Sequence, residues 1–229
     1  MDMELKALIF DVDGTLAETE EVHRQAFNET FAAHGLDWHW SKEDYRTLLR
    51  TTGGKERMAK HRETVGSGPS DADIAALHQA KTQRYVEIIA SGQVGLLPGV
   101  AALIDRAKAS GLRLAIATTT TRANVDALIA ATFRRPAGDI FEVIAAGDEV
   151  AQKKPAPDVY LLALQGLGLP PAACLAFEDS RAGLASAKAA GLRVVLTPSE
   201  YTRGDDFTAA DWLIPDLTRA ATKAIPELP

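Results

Sequence analysis

The chain has 229 residues, 46% apolar and 24% charged, enough for one large domain or two unequal ones at roughly 150 residues each. Twenty-five Lys and Arg against 31 Asp and Glu leave a formal charge of −6, which argues against nucleic acid or an anionic membrane as a bulk partner, because both reward a positive surface. The single cysteine, Cys174, excludes an intrachain disulfide framework and a Cys-based zinc site.

Met1 to Lys6 is polar and lacks the basic-then-apolar pattern of a signal peptide. No apolar run approaches the roughly 20 residues of a membrane span, so a cytoplasmic protein is expected. Ala7–Phe10 is the first of five short, continuous apolar runs; Leu112–Ala117, Val143–Ala146, Cys174–Phe177 and Val194–Leu196 follow. Continuity without alternation predicts strands buried on both faces of a parallel sheet. Residues 18–92 carry no such run. Helical patterns replace it at Glu20–Ala33, Lys42–Leu49, Lys55–Val65 and Asp71–Ile89, with Ser41 and Ser70 placed as N-caps. Further helices are expected at Val100–Lys108, Asp158–Leu167 and Ser180–Ala190, with Gly111 and Gly191 closing two of them. The alternation predicts an α/β fold: a Rossmann-like core of 1–17 and 93–229 with a mostly parallel sheet, interrupted by a helical domain at 18–92. Pro215–Pro229 is weakly patterned, and its last residues are expected to fray. All five histidines precede residue 79, which excludes a Ser-His-Asp or His-metal site built from the later chain alone.

Open α/β sheets bind ligands beyond the carboxyl ends of their strands. There stand Asp11-Val-Asp13-Gly-Thr15, the four threonines Thr118–Thr121, Lys153-Lys154-Pro155 and Glu178-Asp179-Ser180. Two carboxylates two residues apart share a side, so one can be a nucleophile and the other a general acid/base. Several carboxylates together repel unless a cation sits among them, and hard oxygen ligands suit Mg²⁺. A hydroxyl and an ammonium complete a set matched to a phosphoryl group. Each piece has a bland counterpart: Lys153 competes with Lys154, and Glu178 or Asp179 could simply cap the following helix.

Together, Asp11–Thr15, Thr118, Lys154-Pro155 and Phe177–Ser180 resemble the four motifs of the haloacid dehalogenase superfamily of phosphotransferases, and the insertion is similar to its subclass I helical cap. Asp11–Glu18, Arg50–Arg57 and Lys154–Asp158 look like the CbbY-type group, close to β-phosphoglucomutase, which includes xylulose-1,5-bisphosphate phosphatases of carbon-fixing cells. The resemblance implies that Asp11 attacks phosphorus and that Asp13 protonates the leaving oxygen and later activates water. It implies Mg²⁺ on Asp11, the Asp13 carbonyl and Asp179, with Glu178 direct or through water. Thr118 and Lys154 would grip phosphoryl oxygens, helped by the backbone at Thr119 and Thr120.

Residues 50–62 hold five basic side chains against one acid, Glu56. Gly53-Gly54 enters a helix at Lys55, and a glycine turn at a helix N-terminus is a ready anion site. Arg50 and Arg57, with Thr51 and Thr52 in the same loop, could then grip a phosphate. Gly54-Lys55-Glu56-Arg57 resembles the relatives' Gly-x-x-Arg for the phosphate not transferred, which implies a sugar carrying two phosphates. Glu18 resembles a position that meets sugar hydroxyls, and His23 either helps there or only packs. The expectation is a monomeric, Mg²⁺-dependent sugar-bisphosphate phosphatase with no nucleic-acid or membrane partner. A hexose phosphomutase, a phosphoglycolate phosphatase and a phospho-accepting receiver domain are the competing readings.

Overall fold

A computed structural model describes residues 4–229. Met1–Met3, part of the stretch read above for a signal pattern, lie outside the described residues. Six strands, β1 (Ala7–Phe10), β2 (Arg113–Ala117), β3 (Val143–Ala145), β4 (Cys174–Glu178), β5 (Arg193–Leu196) and β6 (Trp212–Leu213), form one sheet in the order β3-β2-β1-β4-β5-β6. Every pairing is parallel. Helices α1 (Glu20–Ala33), α2 (Lys42–Leu48), α3 (Gly54–Val65) and α4 (Asp71–Ala90) come between β1 and α5 (Val100–Ala109); α6 (Arg122–Phe133), α7 (Asp158–Leu167), α8 (Arg181–Ala189) and α9 (Arg219–Thr222) follow. Ser41 and Ser70 cap α2 and α4 through reciprocal boxes with Asp44 and Asp73.

Alternation along each strand sorts the core into two faces. Leu8, Phe10, Leu114, Ile116, Leu175 and Phe177 pack under α5 and α6 with Val100, Leu103 and Leu128. Ala7, Ile9, Ala115, Ala117, Ala176 and Val194 pack under α7 and α8 with Val159, Ala163 and Leu184. The four inserted helices gather Phe27, Phe31, Trp40, Tyr45 and Met58 into a third cluster. The insert is not sealed off from the core, however. Tyr85, Ile88 and Ile89, at the far end of α4, belong to the cluster under α5 and α6. The segments entering and leaving the insert also lie side by side: Ala17 bridges Leu96, and Leu97 N–H donates to the Leu16 carbonyl at 2.8 Å.

Three elements depart from the sequence reading. Strand β6 has only two residues, with Leu213 exposed, too short to show as an apolar run. Helix α6 has no counterpart among the expected helices, although Val125, Leu128 and Ile129 share one stripe. The tail expected to fray instead packs: Leu217 and Ile225 are buried, and Arg106 Nε donates to the Pro229 carbonyl at 2.9 Å.

Candidate active site

The strand order reverses between β1 and β4, and there the chain after each strand is free to form a crevice. Phe10 pairs with Phe177, and Asp11 N–H continues the ladder to the Phe177 carbonyl at 3.0 Å. Asp11 and Glu178-Asp179 therefore leave the sheet side by side. Gly14 has φ +81°, and a Cβ there would run into the Asp179 carboxylate, so the turn after Asp11 needs a glycine.

Asp11, Glu178 and Asp179 each place a carboxylate oxygen within 4.8 Å of the others, all buried. Lys154 Nζ donates to Asp11 Oδ1 at 2.6 Å and Glu178 Oε1 at 2.5 Å, and Tyr160 OH also donates to Glu178 Oε1, at 2.6 Å. Lys153 instead donates to the Gly147 carbonyl, which decides between the two lysines. Burial, with the charges of Glu178 and Asp13 and against that of Lys154, pushes Asp11 up to about 8. Burial and then the charges of Asp11 and Glu178 hold Asp179 well above the carboxylate range. Burial alone would pull Lys154 down, but Asp11 and Glu178 hold it above the usual ammonium range. Three carboxylates face one ammonium, and Glu178 Oε2 is buried without a hydrogen-bond partner. Excess negative charge on hard oxygen donors fits a divalent cation of the Mg²⁺ type.

Asp13 points toward the insert. Its Oδ1 accepts from Thr19 Oγ1 at 2.5 Å and pairs with His23 Nε2 at 3.0 Å. Lys81 Nζ lies 2.5 Å from His23 Nδ1, and the imidazole stacks on Tyr85. An ammonium only donates, so Lys81 makes Nδ1 the acceptor and leaves the proton on Nε2 for Asp13. Burial opposes ionisation of Asp13, but His23, Thr19 and Lys81 outweigh it and bring Asp13 to about 2. Burial and then Lys81 pull His23 down to about 4, and burial pulls Lys81 itself to about 7.

A cleft of about 1080 Å³ joins this cluster to the insert, at the upper end of the ~300–1,000 Å³ usual for small-molecule sites. Asp11, Asp13, His23, Thr119, Thr120, Lys154 and Asp179 line it together with Arg50, Thr52, Gly53, Gly54, Lys55 and Arg57 of the α2–α3 segment. Gly53, at φ +88°, caps α3. Arg57 is buried; its Nη1 donates to Tyr45 OH at 2.8 Å, and its Nε has no partner. Thr52 Oγ1 donates to the Lys154 carbonyl, so the α2–α3 loop touches the lysine loop directly.

Four expected residues stand off the cleft lining. Glu18 does not line the cleft; its Oε2 accepts the Glu200 N–H at 3.0 Å. Glu20, two residues on, does line it, because α1 begins there and turns its first carboxylate inward to Tyr45 OH at 3.0 Å. Burial pushes Glu20 up to about 7 against the opposing charge of Arg57. Thr51 is half-buried off the cleft, its N–H returning to the Leu48 carbonyl. Thr118 and Glu178 sit buried behind the lining, and Thr118 Oγ1 accepts from Thr120 N–H. Lys81 and His78 also line the cleft and were missed. Lys81 was legible: Ile74, Leu77, Lys81, Tyr85 and Ile88 form one buried stripe, and a lysine in an apolar stripe marks a buried charge.

The family model described as haloacid dehalogenase-like hydrolase matches residues 5–191. The chain belongs to the haloacid dehalogenase-like hydrolases. Within this family it is 92% identical to protein CbbY of Rhodobacter capsulatus, over 99% of this chain and all of that one. It also matches the crystal structure of CbbY from Rhodobacter sphaeroides in complex with phosphate, with a TM-score of 0.91 and 54% identity, over 94% of this chain and 96% of that one. A mutant of that protein in complex with xylulose-(1,5)bisphosphate matches to the same extent.

Proposed function

We propose that the chain hydrolyses xylulose 1,5-bisphosphate to xylulose 5-phosphate through a phosphoaspartate on Asp11. The observation that carries this is the make-up of one cleft: its lining combines the cluster at Asp11 with the glycine entry to α3 and Arg50, Lys55 and Arg57 from the insert. Two anion-handling groups in one cleft call for two anionic groups on one small molecule. The relative crystallised with xylulose-(1,5)bisphosphate supports that substrate.

In this reading residues 18–92 act as a cap over a core of 1–17 and 93–229. Lys154 neutralises the transferring phosphoryl group beside Asp11, whose carboxylate oxygen attacks phosphorus. Asp13 gives a proton to the departing sugar oxygen, returning to the carboxylate form that Thr19 and His23 stabilise, and then takes one from the water that cleaves the acyl phosphate. Glu20 is the acid placed to accept from sugar hydroxyls, in the role expected of Glu18. Mg²⁺ would be held by Asp11, Asp179 and the Asp13 carbonyl, with Glu178 beside them, and would supply positive charge to the phosphoryl oxygens.

A phosphate-release panel tests the reading. Xylulose 1,5-bisphosphate should give the highest kcat/KM, releasing one phosphate per sugar. An isomerised sugar with no net phosphate release would make the protein a phosphomutase. Preference for phosphoglycolate would remove the far-end phosphate, and a long-lived phosphoaspartate without turnover would make it a receiver.

A further inference from the structure

Residues 199–202 follow β5 and stand between the sheet and the insert. On the core side, Thr202 Oγ1 donates to the Asp179 carbonyl at 2.7 Å and accepts the Ser199 N–H at 2.9 Å. On the other side, the Tyr201 ring is buried in the aromatic cluster of the inserted helices, a core residue among cap residues. It meets Tyr45 edge-on with centroids 5.8 Å apart, and its hydroxyl donates to Glu21 Oε2 at 2.6 Å. Glu200 N–H ties the same turn to Glu18. Tyr45 in turn donates to Glu20 and accepts from Arg57. A continuous series of contacts therefore runs from the Asp179 backbone through Tyr201 and Tyr45 to Arg57, along a wall of the cleft that Ser199, Tyr201 and Thr202 themselves line.

We propose that Tyr201 is a positioning residue that holds Tyr45 and Arg57 opposite Asp11, so that the far end of the cleft is formed before substrate arrives. The use made of the far end rests on the two-phosphate reading above; the mechanical role of Tyr201 does not. A ring that only filled space would be replaceable at equal cost to every substrate. A ring that sets the relation of cap to core should matter in proportion to how far a substrate reaches toward Arg57.

The test compares Tyr201→Ala and Tyr201→Phe on xylulose 1,5-bisphosphate and on p-nitrophenyl phosphate, which has no second phosphate. Tyr201→Ala should raise KM for the bisphosphate about tenfold or more and leave kcat for p-nitrophenyl phosphate within about twofold. Tyr201→Phe, which keeps the ring and loses the Glu21 hydrogen bond, should fall between. Amide hydrogen exchange without substrate should show lost protection in α2 and the first turns of α3, with β1 and β4 unchanged. Unchanged KM and exchange would overturn the proposal. So would equal losses on both substrates with faster exchange in β1 and β4, the pattern of general destabilisation. If the wild-type protein fails to turn over the bisphosphate, the two-phosphate reading falls, and the exchange measurement still decides the role of Tyr201.

Discussion

His23 is held between Asp13 and Lys81, both close enough to dictate its protonation. Burial and the neighbouring Lys81 bring it from 6.5 to about 4. Between those values the unfolded imidazole takes up a proton that the folded one refuses, so the unfolded chain binds more protons and stability falls as pH falls. The loss attributable to His23 is about 3 kcal/mol across the window. Asp11 and Glu20, pushed up by burial, contribute with the opposite sign over the same range, so the His23 share is read as the change, between pH 7 and pH 4, in the difference of urea midpoints between the wild-type protein and His23→Asn. Lys81→Met removes the repelling ammonium, and an NMR titration should then place the His23 ring above 4. Asp11→Asn should lower kcat by about a thousandfold or more with substrate affinity retained; calorimetric binding beside phosphate release checks both halves. At this scale the Asp-x-Asp, lysine and Glu-Asp residues were legible because each follows a buried run. Acids stand on both sides of the start of α1, at Glu18 and Glu20, and only the actual first turn decides which one lines the cleft. Lys81 and His78 come from a helix distant in sequence; the apolar stripe of α4 marks Lys81 as buried, but nothing local to Asp13 ties either residue to it.

Helix α3 begins at Gly53-Gly54, and Gly53 adopts a backbone open to glycine alone, at φ +88° and ψ 138°. A Cβ there would press on the Glu56 carboxylate and the Lys153 side chain. Gly53→Ala should therefore cost about 1–3 kcal/mol in stability and raise KM for a bisphosphate more than for p-nitrophenyl phosphate, because the free N–H groups of the first turn would be re-aimed. Thermal unfolding alongside steady-state kinetics separates the two effects. Element positions were readable where a cap or a glycine punctuates the pattern: the starts of α2 and α4 fall directly after Ser41 and Ser70, as expected. Strand β6 was not readable, since its two residues gain their place from pairing with β5 rather than from their own apolarity.

For the whole molecule, a charge of −6 sits oddly with an anionic substrate until its distribution is considered. Asp11, Glu178 and Asp179 concentrate negative charge where a cation can offset it, and residues 50–62 carry the local positive excess. EDTA should silence phosphate release and Mg²⁺ restore it; turnover that survives complete chelation would contradict the role given to the carboxylate cluster. No helix among the described residues is long and apolar enough to cross a membrane. The four helices between β1 and α5, as against the strand-bearing remainder, were legible from where buried runs stop and helical periods begin. The sharing of α4 between both was not, because Tyr85, Ile88 and Ile89 extend an ordinary amphipathic stripe and only the position of α6 reveals what they touch.

That sharing makes the insert a lever with its fulcrum at one end. The far end of α4 is sunk beside α6, and the two connecting segments are stitched together at Ala17 and Leu96. His23 stacks on Tyr85 at this anchored end, whereas Arg50 and Lys55 stand on the α2–α3 segment away from it. Loss of order confined to that segment would therefore remove the basic side chains from the cleft and leave the contacts of Asp13 with Thr19 and His23 in place.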